Sequence, residues 1–328
     1  MDIGARGGIH DIVAPIACNT SVMAFEPDQK AYLQLKNYQT KSSHWEKLEI
    51  HPFALSNEIC TRNLKQANAP VTNSLKKSNN QLIDRYGMDN HKNISSDPVD
   101  VKTLDSITFS EKLNRKSVGE FIKCDTQGSD YEVWEGGLKT LNNNTVALIT
   151  EVFFCEMYED QKLFSETEIL LRDQGFTFYG FTYFETRYHD KKRLNKKTSV
   201  FRERPICGEA VFFKDPLLGT NFNKTLNERS IYVLFIISLL LGYYDLSIEL
   251  AYKTWLIESN ENERKNVQEL IIELSNLPSS YTQNQVNELY EKINKNPEFA
   301  NVITGGFVDS RRAICNYDDI HNISHWKP

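Results

Sequence analysis

The sequence predicts an α/β fold with a doubly wound, mainly parallel sheet, followed by an all-helical extension. Three observations lead to this prediction. Short β-rich segments alternate with helical patterns up to residue 215, Gly175 stands where the last of these helices should end, and only helical patterns follow Pro216. Alternating strands and helices are typical of βαβ units and parallel sheets. We therefore expect two domains, residues 1–215 and residues 216–328.

Seven segments of the first domain have the composition of strands, rich in β-branched and aromatic residues. They are 20–26, 47–55, 99–103, 120–125, 146–152, 177–183 and 208–214. Amphipathic patterns predict helices at 30–37, 131–141 and 165–174. Two regions interrupt the alternation: a polar stretch, 61–98, expected to be partly helical, and a basic stretch, 189–204. In the second domain, helices are predicted at 228–243, 246–259, 263–276 and 283–294.

The composition limits the classes of function. The 328 residues include 38 Lys and Arg and 44 Asp and Glu, and a net charge of −6 argues against broad nucleic-acid binding. The six cysteines contain no Cys-x-x-Cys pair, which argues against a zinc framework or a dense set of disulfides. The most apolar stretch, 231–244, is shorter than the roughly 20 residues that span a bilayer, and no secretory leader is visible. We expect a cytoplasmic protein without a membrane span.

A Gly-rich turn and a later acid suggest a cofactor site. The turn reads Asp2-Ile3-Gly4-Ala5-Arg6-Gly7-Gly8, and Glu26 stands at the end of the next predicted strand. In doubly wound sheets, glycines let the backbone approach a ligand, and an acid about 20 residues later binds ribose hydroxyls. The same pattern is also found in NAD-binding sites, although this turn lacks the full Gly-x-Gly-x-x-Gly spacing. A purely structural turn is the alternative.

Two more acids stand at the ends of predicted strands. Asp125 follows Phe121-Ile122-Lys123-Cys124 and precedes a turn that contains Gly128, and Glu151 follows Ala147-Leu148-Ile149-Thr150. The carboxyl ends of parallel strands border the crevice in which such sheets bind ligands. Each acid alone could be a helix cap or a solvated loop residue. Their occurrence at successive strand ends favours a functional site.

An ordered series of motifs runs through the first domain: Asp2-Ile3-Gly4-Ala5, Phe25-Glu26-Pro27-Asp28, Ala54-Leu55-Ser56, Thr103-Leu104-Asp105, residues 121–129 and Glu135-Gly136-Gly137, followed by 157–164 and 170–176. This series resembles the FkbM-type S-adenosylmethionine-dependent methyltransferases. The resemblance covers about residues 1–215. It implies a class I methyltransferase sheet with strand order 3-2-1-4-5-7-6 and an antiparallel strand 7. It also implies methyl transfer to a hydroxyl of a sugar, glycan or secondary metabolite.

The resemblance also assigns roles to residues. It places the methionine part of S-adenosylmethionine at Asp2, Gly4, Ala5, Arg6 and Gly8, the ribose at Glu26 and Pro27, and the adenine near Ala54, Leu55 and Ser56. Arg6 departs from the family, which often has Asn there, and Pro15 falls inside the expected first helix. Methyl transfer to a hydroxyl requires alignment and removal of a proton. Asp125, also next to the cofactor, is the first candidate for the base, Glu151 the second and His10 the third.

The acceptor and partners are less defined by the sequence. A group of basic residues between the last two predicted strands is most simply a solvated loop, and the functional alternative is attraction of an anionic acceptor, such as a phosphate-bearing sugar: Lys191, Lys192, Arg193, Lys196, Lys197, Arg202 and Arg204. His321 and His325 have helical metal-ligand spacing, but their terminal position favours a solvated tail, and we predict no metal site. Two other functions stay open: a cofactor-binding fold without catalysis that acts through its helical tail, and an NAD-dependent oxidoreductase.

The start of the chain leaves little room for the first strand. Only Met1 precedes Asp2, whereas a buried central strand of this fold usually has about five apolar residues. We therefore expect strand 1 to be truncated and the natural protein to carry an upstream apolar segment. The alternative is that a different segment occupies the central position of the sheet.

Overall fold

The computed structural model of the chain describes residues 1–41, 44–110, 118–187, 204–218, 226–301, 303–304 and 307. The strands, in chain order, are β1 (Asp2–Ile3), β2 (Ser21–Phe25), β3 (Lys47–His51), β4 (Ala54–Leu55), β5 (Cys60–Ala67), β6 (Asn93–Lys102), β7 (Phe121–Cys124), β8 (Ala147–Phe153), β9 (Thr177–Arg187) and β10 (Arg204–Phe213). The α-helices are α1 (Gln29–Lys41), α2 (Asn80–Tyr86), α3 (Leu104–Thr108), α4 (Asp130–Glu135), α5 (Leu138–Asn143), α6 (Phe164–Asp173), α7 (Glu228–Leu240), α8 (Tyr244–Lys253) and α9 (Glu261–Lys295).

Seven strands form the central sheet in the order β3-β2-β1-β7-β8-β10-β9. Strand β10 runs antiparallel to both of its neighbours, and the other pairs are parallel. This is the expected order 3-2-1-4-5-7-6 with an antiparallel strand 7, so the α/β fold class is confirmed. Helices cover both faces, which explains why β8 is apolar and buried along most of its length.

Strand β1 occupies the central position although it has two residues. Asp2 is in register with Ala24 and Lys123, and Ile3 with Phe25 and Cys124. Among the residues that the structure describes, β1 itself takes this place in the sheet order, which excludes the alternative raised from the sequence.

The polar stretch 61–98 contains strands that the sequence did not predict. Strands β5 and β6 pair antiparallel, and β4 joins β6 to complete a three-stranded sheet. Only α2 and two short 3-10 segments give this stretch the expected helical content. Most side chains of β5 are at least partly exposed, with Leu64 and Ala67 buried, so its polar composition concealed a strand. The single strand predicted at 47–55 divides in two, because the chain leaves the central sheet after His51 and joins the small sheet at Ala54.

Two predicted helices also differ from the structure. The pattern at 131–141 divides into α4 and α5 at Gly136 and Gly137, where a Cβ would collide with Ser56 and Leu104. The first crossover is a 3-10 helix, Asp11–Asn19, rather than an α-helix. Pro15 lies inside it, and a proline lacks the amide hydrogen that an α-helix needs.

The first two helices after Pro216, α7 and α8, pack on the central sheet. Leu234 and Ile237 of α7 and Leu250 of α8 share a buried cluster with Ile149 and Val211 of the sheet. The patterns at 263–276 and 283–294 form one helix, α9, because the proline between them does not end it. In the described part of the chain, no helix is long and apolar enough to cross a membrane. The domain division at residue 215 stays a prediction.

Candidate functional site

A cavity of about 160 Å³ lies at the carboxyl ends of β1, β2 and β7. A larger cavity, about 1070 Å³, lies at the opposite edge of the sheet, between the 3-10 helix and α7. Open α/β sheets bind ligands at the carboxyl ends of their strands. We therefore assign the functional site to the smaller cavity, since its position outweighs the difference in volume.

Gly4 allows the loop after β1 to run against the end of β7. Its φ of +81° is disfavoured for other residues, and a Cβ would collide with the Asp125 carbonyl oxygen. The amides of Gly4 and Ala5 both donate to the Phe25 carbonyl, at 3.0 and 3.1 Å. The loop is thereby fixed across the ends of three adjacent strands.

Glu26 supplies a buried carboxylate at the end of β2. Its side chain is 5% exposed, and its Oε1 accepts a hydrogen bond from the Asp28 amide at 2.8 Å. Burial raises the pKa of Glu26 to about 7, against the opposing effects of the Asp28 amide and of Arg6. The Arg6 guanidinium lies 3.9 Å from the Glu26 carboxylate. Near neutral pH, Glu26 is therefore divided between its ionised and neutral forms.

Asp28 connects the Gly-rich loop to the small sheet. Its Oδ2 lies 2.9 Å from Arg6 and accepts hydrogen bonds from Gln66 at 3.3 Å and Asn73 at 3.2 Å. Its Oδ1 accepts from the Ala31 amide at the start of α1. Burial would raise the pKa of Asp28, but the Ala31 amide and Arg6 lower it below its usual value. Asp28 is therefore ionised, and the Arg6 guanidinium lies closer to the Asp28 carboxylate than to the Glu26 carboxylate.

Asp125, just after β7, and Glu151, in the last part of β8, form a carboxyl pair. The Gln127 amide nitrogen lies 2.9 Å from Asp125 and 3.2 Å from Glu151, and the Lys123 ammonium lies 3.4 Å from Asp125. Burial would raise the pKa of Asp125, but Lys123 and hydrogen bonds from Gln127 and Glu151 lower it. Burial, with repulsion from Asp125 and Asp130, raises the pKa of Glu151 well above its usual value. Burial and these neighbours therefore favour the ionised form of Asp125 and the protonated form of Glu151.

Seven of the residues predicted for the site line the cavity: Gly4, Arg6, Glu26, Pro27, Ala54, Leu55 and Asp125. Five others do not line it: Asp2, Ala5, Gly8, Ser56 and Glu151. Asp2 turns back to accept the His10 amide at 2.8 Å. Ser56 is buried and accepts from Arg62 at 3.1 Å, and Glu151 stands behind Asp125. His10 lines the larger cavity instead.

Of the basic group, Arg204 lies at the start of β10 and donates to Tyr86 at 3.3 Å. The other six basic residues lie outside the described residues, as do His321 and His325. Within the described ranges, no three His, Cys, Asp or Glu side chains are arranged to hold a metal ion.

The outer wall of the cavity was not predicted. Leu64, Val71, Asn73 and Leu75 come from β5 and the segment that follows it. Gln127, on the inner side, was noticed only as part of a motif. Apolar residues spaced through an otherwise polar stretch were the available signal for the wall, because apolar side chains that line a site interrupt a polar pattern.

Comparison with known proteins identifies the family. A sequence model of the methyltransferase FkbM domain matches residues 2–178, more than half of the 328 residues. The chain belongs to the FkbM methyltransferase family. The matched region of this FkbM-family chain includes all seven predicted residues that line the cavity, from Gly4 to Asp125.

Among solved structures, the crystal structure of methyltransferase FkbM from Methylobacillus flagellatus KT is similar, with a TM-score of 0.33 and 15% identity. The match covers 65% of this chain and 42% of that chain, so the FkbM-family chain spans less than half of that protein's length. This comparison adds nothing to the assignment of the site. No curated protein matches the sequence.

Proposed function

We propose that this FkbM-family chain is a cytoplasmic, S-adenosylmethionine-dependent O-methyltransferase that methylates a hydroxyl of a sugar, glycan or secondary metabolite. The observation that carries this proposal is the cavity at the carboxyl ends of the strands. There, an ionised Asp125 lies beside the Gly4 loop and across from the Glu26 carboxylate. Cofactor-type features and a proton acceptor therefore border one space.

The residues of the cavity suit an adenosine-containing cofactor. Gly4 leaves room at a point where any Cβ would collide with the backbone, and Glu26 presents a carboxylate of the kind that binds ribose hydroxyls. Phe53, Ala54 and Leu55 offer an apolar wall for the adenine. When bound, S-adenosylmethionine supplies an activated methyl group. The volume of 160 Å³ is below the roughly 300 Å³ of small ligand sites, so we expect the outer wall to move outward when the cofactor binds.

Asp125 is the group that can receive the proton of the acceptor hydroxyl. Its side chain is 29% exposed, while Lys123 beside it is 10% exposed. An ionised carboxylate at the cavity wall can orient a hydroxyl and accept its proton. The pKa of Glu151 is raised and that of Asp125 is lowered, so Asp125 is the better of the two candidates for the base.

We also propose that the acceptor is anionic, because seven basic residues occur between residues 191 and 204. Attraction of this kind weakens with ionic strength. Once an acceptor is found, the affinity for a phosphate-bearing form should fall at high salt, whereas the affinity for a neutral analogue should not change with salt. An affinity for the phosphate-bearing acceptor that does not change with salt would contradict this part of the proposal.

Calorimetry and mass spectrometry test the proposal in two steps. The full chain should bind S-adenosylhomocysteine and not NAD, whereas the opposite preference would favour an oxidoreductase. The chain is then incubated with S-adenosylmethionine and panels of sugars, phosphosugars, glycans and phenolic metabolites. A product heavier by one CH₂ is expected in at least one panel. Cofactor binding without any methylated product would favour the alternative of a non-catalytic interaction module.

A further inference from the structure

Gln127 occupies an unusual backbone conformation beside the carboxyl pair. Among the non-glycine residues that the structure describes, only Gln127 and Asp160 have positive φ, and the φ of Gln127 is 55°. Side chains other than glycine are uncommon in this left-handed region, and such strain concentrates at functional sites. At Gln127 the strain places a side-chain amide directly beside Asp125 and Glu151.

Both ends of this amide have partners. The nitrogen donates to Asp125 at 2.9 Å and to Glu151 at 3.2 Å, while the oxygen accepts from the Tyr158 hydroxyl at 3.1 Å. The backbone oxygen of Gln127 accepts from Ser74 at 2.6 Å. The next residue, Gly128, lies so close to the Tyr158 ring that a Cβ would collide with it.

The phenol decides which end of the amide faces the acids. A tyrosine hydroxyl that donates to the amide oxygen turns the NH₂ group toward the carboxyl pair. A donor in this position favours the ionised form of a carboxylate. If the amide were reversed, its oxygen would face Asp125 and repel its charge.

We propose that Gln127 is a positioning residue that keeps Asp125 ionised and the shared proton on Glu151, and that Tyr158 fixes the orientation of its amide. The role in methyl transfer rests on the proposed function, whereas the arrangement of the proton does not. Other ionisable groups act on the pair from each neighbouring element: Lys123 from β7, Asp130 from α4, and Cys207 from β10. All of these groups stay in place when Gln127 is replaced.

The test is an infrared titration of the carboxyl groups in the full-length protein, with the Asp125 signal identified by its loss in Asp125→Asn. Gln127→Gly removes the amide and suits a φ of 55°, so the variant should fold. The titration midpoint of Asp125 should move upward by about one pH unit. Gln127→Glu keeps the shape of the side chain but adds a negative charge, and should move the midpoint further.

Two more variants complete the test. Tyr158→Phe should also move the titration midpoint of Asp125 upward, but by less than Gln127→Gly does. The Gln127 amide remains in this variant, but it can rotate because the Tyr158 hydroxyl no longer holds its oxygen. Gln161→Ala is the matched control, since Gln161 is a buried amide that contacts the Tyr158 backbone at 3.2 Å and is not bonded to either acid. The control should titrate like the wild type. An unchanged midpoint in Gln127→Gly, or an equal shift in Gln161→Ala, would overturn the proposal.

This titration needs neither cofactor nor acceptor, so its failure is separate from failure of the methyltransferase proposal. Once an acceptor is known, Gln127→Gly should lower kcat and shift the acidic limb of its pH profile upward, with S-adenosylhomocysteine affinity unchanged. A loss of cofactor affinity with an unshifted pH profile would reduce Gln127 to a structural role.

Discussion

Acidification from pH 8 to pH 6 should weaken the binding of S-adenosylhomocysteine through Glu26. Ribose hydroxyls donate to a carboxylate, so the ligand selects the ionised form of Glu26, whose pKa lies at about 7. About one tenth of the protein would be ionised there at pH 6, and about nine tenths at pH 8. The dissociation constant should therefore rise about tenfold, equivalent to about 1.4 kcal/mol.

Isothermal titration calorimetry at pH 6, 7 and 8 measures this effect. Glu26→Gln should bind more weakly at pH 8, by about 1 to 3 kcal/mol, and should lose the pH dependence. Glu159→Gln is the matched control, because Glu159 is an exposed acid paired with Lys77, and should keep the wild-type pH dependence. A wild-type affinity that is constant from pH 6 to pH 8, or a slope that survives in Glu26→Gln, would refute the assignment of Glu26 to the ribose.

The same carboxyl has a cost for folding. Its pKa rises from 4.5 to about 7 on folding, so the folded state retains a proton that the unfolded state releases in this range. Stability therefore falls as the pH rises through this window and stays lower above it. Urea unfolding at pH 8 should show Glu26→Gln to be more stable than the wild type, by up to about 3 kcal/mol at roughly 1.4 kcal/mol per pKa unit. The difference should disappear at pH 4.

Three further predictions concern the base, the loop and the helical extension. Asp125→Asn should lower turnover about 10²- to 10⁴-fold with little change in cofactor affinity, measured by kinetics and calorimetry, and the opposite pattern would reassign Asp125 to cofactor binding. Gly4→Ala should destabilise the protein by more than about 3 kcal/mol in urea unfolding, whereas Gly7→Ala, with similar φ but open space, should cost about 1 kcal/mol; equal losses would contradict the close approach at Gly4. Leu250→Ala should cost about 2 to 5 kcal/mol, and a loss below about 1 kcal/mol would mean that α8 does not contribute to the core of the sheet.

The order of the central strands could be predicted because an ordered set of motifs resembles a family that implies this order, while the alternation of strands and helices predicted only the fold class. Glu26 and Asp125 were found for the same reason, since each ends a recognisable apolar strand. The small sheet was missed because β5 exposes most of its side chains, and a strand without a buried face has little periodic signal. The single helix α9 was missed because a proline normally ends a helical pattern.

The chemistry of the site depends on contacts that sequence distance conceals. Burial acts to raise the pKa of both Asp125 and Glu151, but Lys123 and hydrogen bonds together outweigh it at Asp125, whereas repulsion from Asp125 adds to it at Glu151. Asn73 reaches Asp28 across 45 positions of the chain. No local pattern encodes such partners.

The anchoring of the outer wall to Asp28 has a kinetic consequence. Gln66 and Asn73 donate to the same Asp28 oxygen that pairs with Arg6, and Asn73 also lines the undersized cavity. We expect these bonds to open when a ligand enters, so association should include a unimolecular step. In stopped-flow mixing, the observed rate of S-adenosylhomocysteine binding should level off at high ligand concentration. Asn73→Ala should raise that plateau, because one of the bonds that hold the wall closed is gone.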